Sequence, residues 1–263
     1  MKKLFLTISH KGGVGKSTIS KAFADYLRYG NTGKERSATA LIDTDHENKS
    51  LQRVYGQNDF DLMTGVKQFN LDNPDDAREV ISDIVRTPAD TVLVDLRGGA
   101  LNILLSTFNQ DTPEDNAQRM IAFFNRKDIQ VNFLIVFDIE PTAVQTAIDL
   151  VNLFGPNVRY FFLENILRTK DYERALDLLL NHEVYSKQMT NSDKTVFELM
   201  VKHGEYIRFP RLHPAPALIL KIHNATYRNA AHMTAVMDDL DIDDTLSWLE
   251  KTDRLFAEIL QHN

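Results

Sequence analysis

The segment VNFLIVF at residues 131–137 is nearly all apolar, and no other stretch constrains the fold as strongly. A strand of this composition must be covered on both faces, which is typical of a parallel sheet. Other short apolar runs alternate with helical patterns along the chain, as the crossover connections of such a sheet require. The sequence therefore predicts an α/β fold with a mostly parallel central sheet and helices on both faces.

Strands are predicted from these runs at residues 3–9, 38–43, 91–96, 131–137, 158–163 and 206–209. A helix is predicted to open at Pro141 and to end before Gly155, because proline favours a first helical turn and glycine a helix end. Hydrophobic residues make up 43% of the 263-residue chain, which is enough for one core. We expect a single domain over residues 1–263, with a mainly helical part from about 214 to 263 packed on it.

The segment SHKGGVGKST at residues 9–18 lies between the first predicted strand and an amphipathic helix. It approaches the pattern G-x-x-x-x-G-K-[ST] of phosphate-binding loops, with His10 in place of the first glycine. Glycines there let backbone N–H groups surround phosphate oxygens, and the following helix adds the positive end of its dipole. An ordinary glycine-rich turn is the alternative. The predicted phosphate contacts are Gly12, Gly13, Val14, Gly15, Lys16, Ser17 and Thr18.

The pattern K-G-G-x-G-K-[ST]-T near an N-terminus resembles the deviant Walker A loop of the ParA/MinD family of ATPases. The resemblance implies a P-loop NTPase fold of the SIMIBI type, with ATP and Mg²⁺ bound and ATP hydrolysed. It matches Lys16 to the ordinary loop lysine and Lys11 to the signature lysine, which reaches across a homodimer to the partner's nucleotide. A cation there would neutralise charge that develops during phosphoryl transfer. A solvated loop lysine is the alternative for Lys11.

Acidic residues end two further predicted strands, at the sheet edge where ligands bind in open parallel sheets. Asp43 and Asp45, in LIDTDHENKS, resemble the family's D-x-D switch motif. The resemblance implies that Asp45 orients the attacking water and that Asp43 supports Mg²⁺ through its water shell. Asp95, in TVLVDLRGG, fits the Walker B acid. The predicted metal-site residues are Ser17, Asp43 and Asp95.

The sequence departs from the family after both acidic motifs. His46-Glu47 follow Asp45 where the family often has Pro-Gln, and Arg97 follows the Walker B position. These departures bear on switch geometry and on the rate of hydrolysis more than on nucleotide binding. Surface acids that cap a helix are the alternative for the D-x-D pair. Arg97 is either a phosphate or partner contact, or an ordinary surface cation.

Two residues are candidates for contact with the base. Asn165 follows the strand at 158–163, where the family often places an Asn against the adenine edge. Pro210, in YIRFPRLHPAP, resembles the proline loop that flanks the base. Asn is also a common turn former at a strand end, so the assignment of Asn165 stays open.

The chain has no cysteine, which excludes disulfides, cysteine nucleophiles and cysteine-ligated clusters, and is typical of a reducing cytosol. The formal net charge is −7, which argues against a globally basic nucleic-acid binder. No stretch approaches the roughly 20 apolar residues of a membrane span, and the last helix is too acidic for a surface anchor. We therefore expect a cytoplasmic protein without a membrane partner.

The leading hypothesis is an ATP-dependent dimerising switch in plasmid or DNA segregation, positioning or conjugative transfer, similar to StbB or TraL proteins. Such a switch implies a homodimer on ATP binding and a partner protein that stimulates hydrolysis. DNA bound non-specifically is a further open alternative, carried by a loosely basic stretch at Arg208, Arg211, Lys221 and Arg228. Two other functions stay open. One is a P-loop ligase of the dethiobiotin-synthetase type, and the other is an ATP-binding module with little hydrolysis.

Overall fold

The computed structural model describes residues 1–9, 13–30, 38–58, 61, 63–139, 141–165, 170–181 and 195–261. One sheet runs through this part of the chain, in the order β3-β2-β4-β1-β5-β6-β7, and every neighbouring pair of strands is parallel. Its strands are β1 (Lys2–Ile8), β2 (Thr39–Asp43), β3 (Val66–Gln68), β4 (Thr91–Asp95), β5 (Ile129–Phe137), β6 (Arg159–Asn165) and β7 (Glu205–Phe209). The predicted parallel α/β fold is confirmed.

Helices connect the strands, and local sequence signals start several of them. Asn73 and Thr112 each accept a hydrogen bond from a first-turn N–H, and a proline follows each cap. The described helices are α1 (Lys16–Tyr29), α2 (Gln52–Tyr55), α3 (Pro74–Arg86), α4 (Ala100–Ser106), α5 (Pro113–Asn125), α6 (Pro141–Phe154), α7 (Lys170–Leu180), α8 (Val196–His203), α9 (Pro214–Ile222) and α10 (Asp239–Gln261), with 3-10 turns at Gly155–Asn157 and Tyr227–His232.

Helices cover both faces of the sheet. On one face, Phe5 of β1 packs against Phe23 of α1, with ring centroids 4.9 Å apart. On the other face, Phe133 of β5 packs against Phe154 of α6 at 4.8 Å. Phe133 pairs in register with Leu6, the neighbour of Phe5, so the two phenylalanines point to opposite sides. The apolar run of β5 is thus buried from both sides, as its composition predicts.

The C-terminal helical part packs against α1. Phe256 of α10 lies 4.7 Å from Phe23 and 5.8 Å from Tyr26, measured between ring centroids. Lys3 Nζ donates to the carbonyl of Leu260 at 2.5 Å, which holds the start of β1 against the last turn of α10. The single domain over residues 1–263 stays a prediction. Within the described ranges, no helix combines the length and apolar character needed to cross a membrane.

Candidate functional site

The strand order brings the glycine loop and the acidic strand ends to one edge of the sheet. β1 is flanked by β4, and β4 is flanked by β2. In the strand register Thr7 pairs with Asp95, and Asp95 pairs with Asp43. The loop that follows β1 therefore lies beside both carboxylates, at the carboxyl edge where open parallel sheets bind ligands.

The described part of the loop needs glycine at two positions. Gly13 and Gly15 both have φ near +89°, a conformation that other residues rarely adopt. A Cβ at Gly15 would lie 1.8 Å from Asn165 Nδ2, whereas a Cβ at Gly13 would meet nothing within 4 Å. The Asn165 amide donates to the carbonyl of Val14 at 2.7 Å, so the end of β6 holds the loop in place.

The structure describes only part of the loop. His10, Lys11 and Gly12 lie outside the described residues, so the role assigned to Lys11 stays a prediction. Helix α1 begins at Lys16 without a side-chain cap. The first N–H groups of a helix have no intrahelical acceptor, and an anion at this end would satisfy them.

The Asp95 carboxylate accepts hydrogen bonds from three side chains of the site. It is fully buried, and its Oδ1 accepts hydrogen bonds from Lys16 Nζ at 2.5 Å and from Ser20 Oγ at 3.0 Å. Its Oδ2 accepts a hydrogen bond from Ser50 Oγ at 2.8 Å. The loop lysine and the predicted Walker B acid are therefore in direct contact. In this arrangement the Lys16 ammonium neutralises the Asp95 carboxylate, which would otherwise be a costly buried charge.

Asp43 is also fully buried, and it organises the chain that follows β2. Its Oδ1 accepts from the N–H of Asp45 at 2.9 Å, and its Oδ2 accepts from the N–H of Leu51 at 2.9 Å, just before α2. Burial, together with the nearby Asp95 charge, raises the pKa of Asp43 to about 7. The alternative of surface acids that cap a helix does not fit the buried Asp43, whereas the Asp45 carboxylate accepts the N–H of Asn48 as a capping side chain does.

Asp45 is half-buried at the same edge, and its carboxylate accepts hydrogen bonds from the Asn48 backbone at 3.0 Å and side chain at 2.9 Å. Partial burial acts to raise its pKa, but the Asn48 hydrogen bonds and the Lys16 charge outweigh it, so the pKa lies below the usual value. Such a carboxylate stays ionised and accepts hydrogen bonds readily, but it is a weak proton acceptor. It is suited to orienting a water molecule.

The oxygen donors of this edge fit Mg²⁺. Magnesium is commonly held by one or two carboxylates together with substrate phosphates and waters, and not by an all-protein cage. Ser17, Asp43 and Asp95 supply a hydroxyl and two carboxylates of that kind. Among the described residues, no three or more His, Cys, Asp or Glu side chains form a preassembled metal site.

Comparisons with known proteins add little to this picture. No model of a protein family matches the chain, and no curated protein matches it. Among solved structures, the chain is similar to a crystal structure of a Borrelia burgdorferi B31 protein assigned to plasmid partition, bound to AMPPNP. The two chains share 14% identity at a TM-score of 0.49, over 96% of this chain and 100% of the other. The proposed function rests on the contacts of the site and not on this likeness.

The two base-contact candidates lie next to each other at the edge. Asn165 pairs in register with Phe209, and Pro210 follows directly. The Pro210 carbonyl accepts a hydrogen bond from Trp248 Nε1 at 2.7 Å, which ties this loop to α10. Contact of either residue with a base stays a prediction, since the observed partner of the Asn165 amide is the phosphate loop.

Several cations considered from the sequence are engaged in ion pairs. Arg97 pairs with Asp72, and Arg228 forms a two-pronged pair with Asp253 at 2.6 and 2.7 Å. Arg208 pairs with the buried Glu164 at 3.3 Å. The backbone N–H of Arg97 donates to Thr44 Oγ1 at 3.0 Å, which joins the segments after β4 and β2.

A buried cluster around Asp25, which no sequence pattern predicts, links the loop helix to two other elements. Asp25 of α1 accepts hydrogen bonds from the Tyr55 hydroxyl at 2.6 Å and from the Tyr227 N–H at 2.7 Å. Tyr55 ends α2, which follows the acidic segment, and Tyr227 begins the 3-10 turn before α10. The Tyr227 side chain also shares a hydrogen bond with Thr18, a predicted phosphate contact.

Two hydroxyls of the site, Ser20 and Ser50, were not among the predicted residues. Ser20 lies four positions after Lys16 on the same helix, so helical spacing alone could have placed both beside one acid. Ser50 has no comparable signal, because its approach to Asp95 depends on how residues 44–51 return to the sheet edge. That path is set by the contacts of Asp43 and Thr44.

Proposed function

We propose that this chain is an ATP-binding P-loop ATPase that works as a switch of the ParA/MinD type. The observation that carries the proposal is the contact between Lys16 Nζ and Asp95 Oδ1 at 2.5 Å. It joins a lysine at the start of a loop helix to an acid at the end of the neighbouring parallel strand. A glycine-rich turn of purely structural purpose would not require a nearly buried lysine aimed at a buried carboxylate.

The chain's own groups account for binding. The free N–H groups of the loop and of the first turn of α1 hold the phosphates, and Lys16 transfers from Asp95 to the phosphate oxygens. Ser17, Asp43 and Asp95 would hold Mg²⁺, which supplies neutralisation of phosphate charge when bound. Asp45 orients the attacking water, and its lowered pKa keeps it ionised for that purpose.

The role of the switch follows from the signature lysine. Lys11 reaches the nucleotide of a second copy, so ATP binding favours a homodimer and hydrolysis dissolves it. The switch acts in plasmid or DNA segregation, positioning or conjugative transfer, with a partner protein that stimulates hydrolysis. In conjugative transfer, the role would be similar to that of the StbB and TraL proteins of the same family.

Light scattering after size exclusion tests the proposal. The protein is measured without nucleotide and with ADP, ATP or a non-hydrolysable ATP analogue, with Mg²⁺ or with EDTA. We expect a dimer only with ATP or its analogue and Mg²⁺.

Lys16→Ala should bind nucleotide at least about tenfold more weakly, because it removes charge-assisted hydrogen bonds to phosphate. Lys127→Ala is the matched control, since this exposed lysine precedes β5 at the opposite edge of the sheet. Nucleotide binding that is unchanged in Lys16→Ala would contradict the proposal.

One observation favours a second candidate, a P-loop ligase that phosphorylates a small substrate. A cavity of about 210 Å³ lies where β1 and β4 end, with Ile8, Leu96 and Leu150 among its apolar lining and Arg97, Asn102 and Asp149 among its polar lining. A ligase requires such a space next to its phosphates, and it would hydrolyse ATP only when a small acceptor is present. ATP turnover measured with and without DNA, and with and without small carboxylic acids, separates the two functions.

A further inference from the structure

The hydroxyl of Ser50 lies where the acidic segment after β2 touches the Walker B candidate. Ser50 Oγ donates to Asp95 Oδ2 at 2.8 Å, while Lys16 and Ser20 both donate to Oδ1. The two oxygens of Asp95 therefore have partners from different elements. Helix α1 binds one oxygen, and the segment at residues 44–51 binds the other.

The segment at residues 44–51 is held to the sheet at both of its ends. At the first end, the Thr44 N–H and hydroxyl both donate to the carbonyl of Asp95 at 3.1 Å. At the last end, the Leu51 N–H donates to Asp43 Oδ2 at 2.9 Å, and α2 starts directly afterwards. Ser50 is the residue before this anchor, so a change in its partner is passed to the start of α2 without an intervening flexible stretch.

Helix α2 is in turn connected to the loop helix. The Tyr55 hydroxyl lies 2.6 Å from Asp25 Oδ1 and 2.9 Å from the Lys21 carbonyl oxygen, so its single proton is shared between two acceptors that both belong to α1. A movement at the start of α2 would therefore strain hydrogen bonds whose acceptors lie on α1, the helix that carries Lys16. The contacts form a closed circuit from Asp95 through Ser50 and α2 back to α1.

From this circuit we infer that Ser50 is a positioning residue that couples the state of Asp95 to the position of α2. The inference rests on the proposed function. A serine hydroxyl both donates and accepts, so it can leave the carboxylate for a water of the ion's shell when Mg²⁺ and ATP engage Asp95. Lys16 is drawn to the phosphates in the same event, so two of the three side-chain partners of the Asp95 carboxylate are exchanged together. Ser50 thereby couples this exchange of hydrogen-bond partners at Asp95 to the position of α2.

A fluorescent probe on α2 tests the inference. The chain has no cysteine, so Arg53→Cys on the exposed side of α2 gives a single labelling site for an environment-sensitive dye. The dye signal is followed on addition of a non-hydrolysable ATP analogue with Mg²⁺. Nucleotide affinity is measured separately with a fluorescent ATP analogue on the unlabelled proteins. The variants are Ser50→Ala, Ser50→Thr, which keeps the hydroxyl, and Ser20→Ala, which removes a hydroxyl donor to the same carboxylate from α1.

We expect Ser50→Ala to lose most of the nucleotide-induced dye change at saturation, because the side-chain contact between Asp95 and the start of α2 is removed. Ser50→Thr and Ser20→Ala should retain the change. A full dye change in Ser50→Ala, or an equal loss in Ser20→Ala, would overturn the inference and leave the proposed function standing. Failure of the parent chain to bind the nucleotide would overturn both.

Discussion

Individual residues of the loop differ in how well they tolerate substitution, and Gly13 and Gly15 allow this difference to be measured. Both have the same positive φ, but only Gly15 has a side chain in the way, the amide of Asn165. We expect Gly15→Ala to abolish detectable nucleotide binding, because the loop must move away from its support at Val14. Gly13→Ala should lose only about 1 kcal/mol of unfolding free energy to backbone strain.

Thermal unfolding and nucleotide titration of both variants check this expectation. Gly15→Ala combined with Asn165→Ala should recover part of the lost stability, because the clash is removed while the strain at Gly15 remains. Equal effects of the two glycine substitutions would show that φ alone, and not the Asn165 contact, sets the requirement for glycine.

The role proposed for Asp45 in hydrolysis is tested by removing its carboxylate. We expect Asp45→Ala to bind ATP within about threefold of the parent but to hydrolyse it roughly 100-fold more slowly, as loss of a positioned catalytic group usually does. Phosphate release under single-turnover conditions measures the rate. Glu47→Ala, at an exposed acid two residues further on, is the control. An undiminished rate in Asp45→Ala would remove this carboxylate from the mechanism.

The sequence predicted these residues unevenly. The positions of Lys16, Asp43 and Asp95 follow from the motif and from the rule that parallel strands end at one edge, and the register brings them together. The partners Ser50 and Asn165 could not be derived in the same way. Their contacts with Asp95 and Val14 depend on the course of long connections, which a local pattern does not contain.

At the scale of elements, the longer strands were predicted from the sequence, but no bounds were predicted for α3 or α5, although each has 13 residues. The six predicted strands all exist, with ends that differ by one or two residues. β3 (Val66–Gln68) and α2 (Gln52–Tyr55) went unpredicted, because elements of three or four residues do not complete a recognisable period. The polar link from α2 to α1 through Asp25 was equally invisible, since it joins residues 30 positions apart.

That link gives the protein a specific pH dependence. Burial raises the pKa of Asp25 to about 6, against hydrogen bonds from Tyr55 and Tyr227 that lower it. Between about pH 4 and pH 6 the folded protein keeps a proton that the unfolded chain releases, so this group's contribution to stability falls as the pH rises. The loss amounts to about 3 kcal/mol by pH 7, on the order of two pKa units at 1.36 kcal/mol each.

Urea unfolding of the parent and of Asp25→Asn between pH 4.5 and 7.5 measures the effect. We expect the variant to gain stability relative to the parent as the pH rises through this range. Comparing the two proteins cancels the contribution of Asp43, whose pKa is raised to about 7 in both. A stability difference that does not change with pH would contradict the assignment of this titration to Asp25.

At the scale of the whole molecule, the proposal predicts assembly controlled by Lys11. We expect Lys11→Ala to bind ATP within about tenfold of the parent and to remain monomeric, because the lost cation serves the partner's phosphates and not its own. Light scattering with a non-hydrolysable analogue is the measurement, and Lys49→Ala is the control for a general loss of positive charge near the loop. Dimerisation of Lys11→Ala at parental concentrations would rule out the cross-dimer role.

The central position of β1 has a consequence for how the protein is made. This strand is synthesised before both of its neighbours, because it pairs with β4 from Thr91 onward and with β5 from Ile129 onward. At about 5–20 residues per second, roughly 6 to 26 seconds pass before its second neighbour has been synthesised. Until β4 has been synthesised, this apolar strand and its phosphate loop have no sheet to join. A nascent chain that has not reached β4 therefore has no folded phosphate site, and β1 stays exposed for that time.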